Sequence, residues 1–277
     1  MKTGIVITSP QNPKIKSLLS LTKYRERREH QLFIVEGKKE TQMAINAGYT
    51  IANIFYNFDL ITEAELQCMG LSNELLIPVN QNIYNKIAVR ENSVGIISVA
   101  KMKNHSLETI TLRDTPLILV IESVEKPGNL GAMLRTADAT SVDAVIISDP
   151  RTDLYNPNVV RSSLGCLFNL AIATATSEAT VEWLERNNIK IFCSSLQSAQ
   201  PYCEADFTQP CAIVMGKEST GLSEIWRNHA TLNLKIPMLG KIDSLNVSNA
   251  TAVMLYEAIR QRNTNNRQNK PHKSIFV

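Results

Sequence analysis

An α/β protein in two parts is predicted on three observations. Short, nearly continuous apolar runs recur at PLILVIES (116–123), AVIISD (144–149), LAIAT (170–174), KIFCSS (190–195), AIVMG (212–216) and LNLKIP (232–237). Helical patterns lie between or after them, at 129–141, 157–166, 178–187, 222–229 and 247–262. Strands apolar on both faces, alternating with helices, specify a mostly parallel sheet with both faces covered. Lastly, the polar stretch KMKNHSLETITLRDT (101–115) separates this region from a first hundred residues that alternate on their own account.

In that first part, residues 12–29 read as one helix, because Ile15, Leu18, Leu19 and Thr22 recur at helical spacing. QLFIVEG (31–37) reads as a strand, and KKETQMAINAG (38–48) as a short helix stopped by Gly48. TIANIFYN, ELLIPVN and VGIISVAK are further apolar runs bounded by polar turn residues. The expected division is an N-terminal domain at 1–105, a second α/β domain at 106–265 and a polar, basic tail at 266–277.

Composition narrows the function. With 44% hydrophobic and 20% charged residues, the 277-residue chain is ordinary globular material. No apolar run approaches the ~18–20 residues a membrane span needs, and the opening residues lack the apolar core of a secretory signal. Five cysteines without a C-x-x-C pair argue against a zinc site and a disulfide framework, and favour a reduced, cytoplasmic setting. The four histidines (30, 105, 229, 272) have no paired spacing, so no metal is expected. Cys166, Cys211, Trp183 and Trp226 lie in apolar patterns and read as core. The net charge is +3, but residues 1–30 carry seven Lys/Arg against two Glu, and residues 258–277 carry five with no acid. Such basic ends attract phosphate backbones, with Lys14, Lys16, Lys23, Arg25, Arg27 and Arg28 as candidate contacts.

In an open parallel sheet, ligands bind at the carboxyl ends of strands, so the loops after the strands carry the functional signal. Three stand out. Glu125-Lys126-Pro127-Gly128-Asn129-Leu130-Gly131 precedes a helix that carries Arg135. Its glycines permit a tight turn, and Asn129 sits near a helix N-terminus. Gly216-Lys217-Glu218-Ser219-Thr220-Gly221-Leu222 contains G-K but lacks the G-x-x-x-x-G-K-[ST] of a phosphate-binding loop. No G-x-G-x-x-G follows a strand either, so a standard dinucleotide site is not supported. The loop from Ile236 to Ala250 runs through Ser244, Asn246, Ser248 and Asn249 into the last helix. One capping residue accounts for part of that polar string, not all of it.

Taken together, P-G-N-L-G-x-x-x-R-T-A-D-A, V-M-G-x-E-x-x-G-L-S and I-P-M-x-G-x-x-x-S-L-N-V-S-N-A resemble the three motifs of the SpoU (TrmH-like) family. Its members are S-adenosylmethionine-dependent RNA ribose 2′-O-methyltransferases of the SPOUT class. The resemblance covers residues 115–262, and LYNPNVVRSSLG (154–165) is similar to the family's intervening motif. ITSPQNPKIKSLLSL and FIVEG likewise resemble the substrate-binding domain of the ribosomal-RNA branch, itself similar to small ribosomal proteins.

This resemblance implies an N-terminal α/β RNA-binding domain and a C-terminal SPOUT α/β domain tied in a trefoil knot. It also implies a homodimer, S-adenosylmethionine as methyl donor and RNA as substrate, with large-subunit ribosomal RNA favoured. Met215, Gly216, Ile236 and Leu245 match the positions that hold the donor. Asn129, Arg135, Glu218, Ser244 and Asn246 match the positions tied to catalysis. Lys126 and Lys217 depart from the family pattern, where an acidic or polar residue and Asn are common, and both add positive charge at the mouth of the site. Neither DNA nor a membrane is an expected partner. Alternatives are a transfer-RNA ribose methyltransferase, or a non-catalytic RNA-binding assembly factor of the same fold.

Overall fold

The computed structural model describes residues 5–88, 95–195, 199–217 and 219–268. The first part of the chain gives helices α1 (Pro13–Ser20) and α2 (Tyr24–His30), strand β1 (Leu32–Glu36), α3 (Lys38–Asn46), β2 (Ile51–Asn57), α4 (Glu63–Gln67), β3 (Leu76–Val79), α5 (Gln81–Ile87) and β4 (Ile96–Lys101). There follow β5 (Leu117–Glu122), α6 (Pro127–Ala139), β6 (Ala144–Ser148), α7 (Pro157–Ser162), β7 (Ile172–Ala175), α8 (Ser177–Arg186) and β8 (Lys190–Ser194). The chain continues through β9 (Gln200–Pro201), β10 (Cys211–Met215), α9 (Glu224–His229), β11 (Leu232–Lys235) and α10 (Val247–Gln268). By internal contacts these elements form two units, 1–104 with 153–169, and 105–152 with 170–277.

In the first unit the strand order is β1-β4-β2-β3, with β4 antiparallel to both neighbours and β3 parallel to β2. Ile15, Leu18, Leu21, Phe55 and Tyr84 share one apolar core. The single helix expected at 12–29 is two helices. The carbonyls freed at the break, those of Leu21 and Thr22, accept hydrogen bonds from Arg27 Nη1 at 2.9 and 2.8 Å. Arg27 Nε and Nη2 donate to Asp153 Oδ2 at 2.8 and 2.6 Å. Arg27 is 1% exposed, so it is not a phosphate contact. Lys14, Lys16, Lys23, Arg25 and Arg28 are exposed.

Residues 153–169, expected inside the second domain, complete the first unit instead. The Tyr155 ring lies 4.2 Å from that of Phe33, and the Phe168 ring 5.0 Å from that of Tyr49. The helix expected over 157–166 stops at Ser162, because Leu164 and Gly165 take left-handed conformations. A Cβ on Gly165 would stand 3.0 Å from Met43 Sδ, so this turn admits only glycine without a shift of its neighbour.

The second unit holds a seven-stranded sheet ordered β7-β6-β5-β10-β8-β11-β9, parallel throughout. Every residue of β5, β6 and β10 is buried, as their unbroken apolar runs require. Trp183 and Trp226 are core residues, 6% and 0% exposed. Trp226 Nε1 donates to Ser177 Oγ at 3.0 Å, which satisfies the indole N–H in that core. Cys211 is buried as expected, whereas Cys166 is only half-buried. The two-residue strand β9 has no sequence signal, and α10 runs six residues beyond the expected end at 262. The tail expected at 266–277 is helical as far as Gln268, and residues 269–277 lie outside the described residues.

Candidate active site

The strand order places the site. From β5 the chain moves outward through β6 and β7, then returns so that β10 and β8 lie on the other side of β5. A reversal of this kind opens a crevice at the carboxyl ends of the strands. A cavity of about 520 Å³ lies there, within the range for small-molecule sites. It is lined by Lys126 after β5, Ser194 and Ser195 at the end of β8, residues 215–217 and 219–222 after β10, and residues from β11 into α10. Met215, Gly216, Ile236 and Leu245 all line it. So do Ser244 and Asn246.

Gly216 is fixed by crowding. A Cβ there would stand 2.5 Å from the Gly221 carbonyl carbon and 2.6 Å from Leu222 N. Gly221 N–H donates to the Lys217 carbonyl at 3.0 Å, with Gly221 at φ +67°, which closes the turn. At Gly216 the cavity wall is therefore main chain. Met215 is 2% exposed at the floor, and Ile236 and Leu245 are half-buried at the sides. Apolar walls with backbone polar groups suit an adenosine-bearing ligand.

Two of the three polar loops meet at Asn246. Its Oδ1 accepts from Ser248 N at 2.9 Å and Ser248 Oγ at 2.6 Å, capping α10. Its Nδ2 donates to Asn129 Oδ1 at 3.3 Å. Asn129 is not the cap of α6. That helix starts at Pro127, so Asn129 is its third residue, and its side chain is directed to the neighbouring loop.

Arg135 is not brought to the cavity. It is exposed on α6 and absent from the lining. Six residues at 3.6 per turn place it roughly 120° around the helix from Asn129, so the two do not share a face. Glu218 lies outside the described residues. Sequence reasoning missed Arg227, Lys235 and Met238, all of which line the cavity. Met238 lies inside the I-P-M motif with no role read for it, and nothing local marks Arg227 on α9 or Lys235 at the end of β11.

A second cavity of about 750 Å³ lies against the same loop and shares Lys217, Thr220 and Gly221. Glu122, at the end of β5, is 4% exposed and accepts from Ser223 N at 2.9 Å there. This bond ties the loop after β10 to the central strand.

Residues 116–256 match the model of the SpoU rRNA Methylase family, and residues 12–98 match the MRM3-like substrate binding domain. The chain belongs to the SpoU rRNA methylase family. It is 28% identical over 250 residues to the 23S rRNA (guanosine(2553)-2′-O)-methyltransferase of Bacillus subtilis, covering 90% of this chain and 97% of that one. A crystal structure of an RNA 2′-O ribose methyltransferase superposes with a TM-score of 0.82 at 36% identity, over 93% of this chain and 99% of that one. The SpoU methyltransferase AviRb from Streptomyces viridochromogenes, solved with the cofactor AdoMet, superposes with a TM-score of 0.83 at 26% identity, over 91% and 100% of the two chains.

Proposed function

We propose that this protein transfers a methyl group from S-adenosylmethionine to a ribose 2′-hydroxyl of large-subunit ribosomal RNA. The observation that carries the reading is the crowded, glycine-walled cavity at the sheet reversal, with the Asn129–Asn246 pair at its edge. In this reading Met215, Gly216, Ile236 and Leu245 hold the donor, largely through main-chain groups. The donor supplies a methyl already activated on a sulfonium, so the protein's share is alignment and removal of the hydroxyl proton. Asn129 and Asn246 position the nucleotide, and Ser244 stands beside them. Arg135 grips the adjacent phosphate with both arms of its guanidinium and stabilises the developing alkoxide. A guanidinium keeps its own proton, so the hydroxyl proton leaves through a phosphate oxygen or water. Glu218 fixes Asn129 or Arg135.

A homodimer is part of this reading. Arg135 has no place in the cavity of its own chain, and a second copy would supply a site for it. The trefoil knot is carried over with the family fold, and the insertion of β10 between β5 and β8 accords with it. RNA is gripped by the exposed Lys14, Lys16, Lys23, Arg25 and Arg28, which contact phosphates without choosing sequence. The five free cysteines favour a reducing, cytoplasmic setting.

Calorimetric titration with S-adenosylmethionine tests the cavity, with Gly216→Arg as control. Saturable binding that this substitution abolishes is the expected result. Ribose methylation of ribosomal RNA from cells lacking the protein should then lose one site. An unchanged methylation map would refute the substrate. An Arg135→Lys variant should lose most of its turnover, because one ammonium cannot grip a phosphate in two places; near-full turnover would refute the bidentate role.

A further inference from the structure

Four cations line the donor cavity, and no acid is among its described lining residues. They are Lys126 after β5, Lys217 on the turn after β10, Arg227 on α9 and Lys235 at the end of β11. None of the four has an ion-pair partner among the described residues. Glu218, counted in full against them, would leave an excess of three. Lys217 is half-buried, and the other three are exposed.

That charge is the wrong sign for the donor. S-adenosylmethionine carries a sulfonium, an ammonium and a carboxylate, for a net single positive charge at neutral pH. Its demethylated product has lost the sulfonium charge and is neutral overall. Like charges about 4 Å apart repel by roughly 1 kcal/mol even in bulk water, and by more beside a protein surface. Phosphates of a bound RNA carry the compensating charge, and Lys126 and Lys217 stand where loops after two adjacent central strands meet the cavity.

We propose that Lys126 and Lys217 make donor binding depend on RNA. The inference rests on placing the donor in this cavity. Without RNA, the site disfavours the cationic donor relative to the neutral product. RNA phosphates neutralise the two lysines and tighten the donor. In the transfer, the carbon–sulfur bond breaks with its electron pair going to sulfur, the oxygen–carbon bond forms, and the hydroxyl proton leaves. The sulfur loses its charge in that step. Coupling between two ligands is reciprocal, so the donor tightens RNA more than the product does. Turnover therefore loosens the methylated RNA.

The test is calorimetry on the full chain and a Lys126→Gln/Lys217→Gln variant, with S-adenosylmethionine and S-adenosylhomocysteine, at low and high ionic strength. For the unaltered protein at low salt, the product should bind about tenfold more tightly than the donor, with a gap that narrows as salt screens it. The double variant should bind the donor about fivefold more tightly and the product within about twofold of the original. An unmethylated 23S ribosomal RNA transcript should tighten the donor about tenfold in the unaltered protein, and by less than about twofold in the variant. A preference that ignores salt, or a variant with unchanged donor affinity, overturns the coupling. If Gly216→Arg abolishes both ligands while their salt responses are equal, the coupling falls and the cavity assignment stands. If Gly216→Arg leaves both ligands bound, the assignment and the coupling fall together.

Discussion

At the scale of single residues, Asn246 has two separable tasks. Its oxygen caps α10, and its amide nitrogen reaches Asn129. An Asn246→Asp variant keeps an acceptor for the cap and loses the donor. Its thermal stability should stay close to that of the unaltered protein, since aspartate caps as well as asparagine. Its turnover should fall about a hundredfold, the usual consequence of a misplaced reactant. Loss of stability with turnover intact would assign Asn246 to capping alone. The sequence revealed this residue as one member of a polar string, but not its partner 117 positions away. Arg135 was legible as a motif residue but its position away from the cavity was not, since six positions along a helix is not a whole number of turns. Arg27 was misread for a related reason. It stands in a basic run that reads as solvated, and its carboxylate partner is 126 positions distant.

At the scale of elements, β5 is set by the chain just before β6. Asp143 accepts from Leu117 N at 2.7 Å and from Arg113, which holds the start of β5 in register with β6. Burial pushes the Asp143 carboxyl up, but the Arg113 guanidinium and the Leu117 N–H outweigh it and leave it below its ordinary value. The unfolded chain thus takes up this proton at a higher pH than the folded one. The stabilisation is complete above the ordinary carboxylate range, near pH 4, and is lost as pH falls through the lower folded value. Thermal unfolding of Asp143→Asn should show a deficit at pH 7 that shrinks in acid. A deficit independent of pH would assign the effect to packing. Arg262 does similar work at the far end of α10. It donates to the carbonyls of Thr115, Pro116, Phe207 and Gln209, and so ties the last helix to the entries of β5 and β10. Nothing local predicts this role, since Arg262 lies in a stretch that reads as basic and solvated. The buried strands were legible throughout, because unbroken apolar runs have few other places to go.

At the scale of the whole molecule, the two units are interleaved in sequence. Residues 153–169 belong with the first hundred, held by Tyr155 against Phe33, by Phe168 against Tyr49 and by Asp153 on Arg27. Composition marks a polar boundary near 105 and says nothing of this return, because the aromatic partners lie about 120 positions apart. A fragment of residues 1–104 should therefore bind hydrophobic dyes and give poorly dispersed amide spectra. The same fragment joined through a flexible linker to residues 153–169 should bury Phe33 and Tyr49 and give dispersed spectra. A well-ordered 1–104 fragment would show that the returning segment is dispensable. The interleaving also orders events on the ribosome, where N-terminal domains usually fold as they emerge. Here the first unit must wait, with Arg27 uncompensated, until residue 169 has left the exit tunnel. By then β5 and β6 are already synthesised, so the first unit and the first strands of the second become foldable within the same short interval of translation.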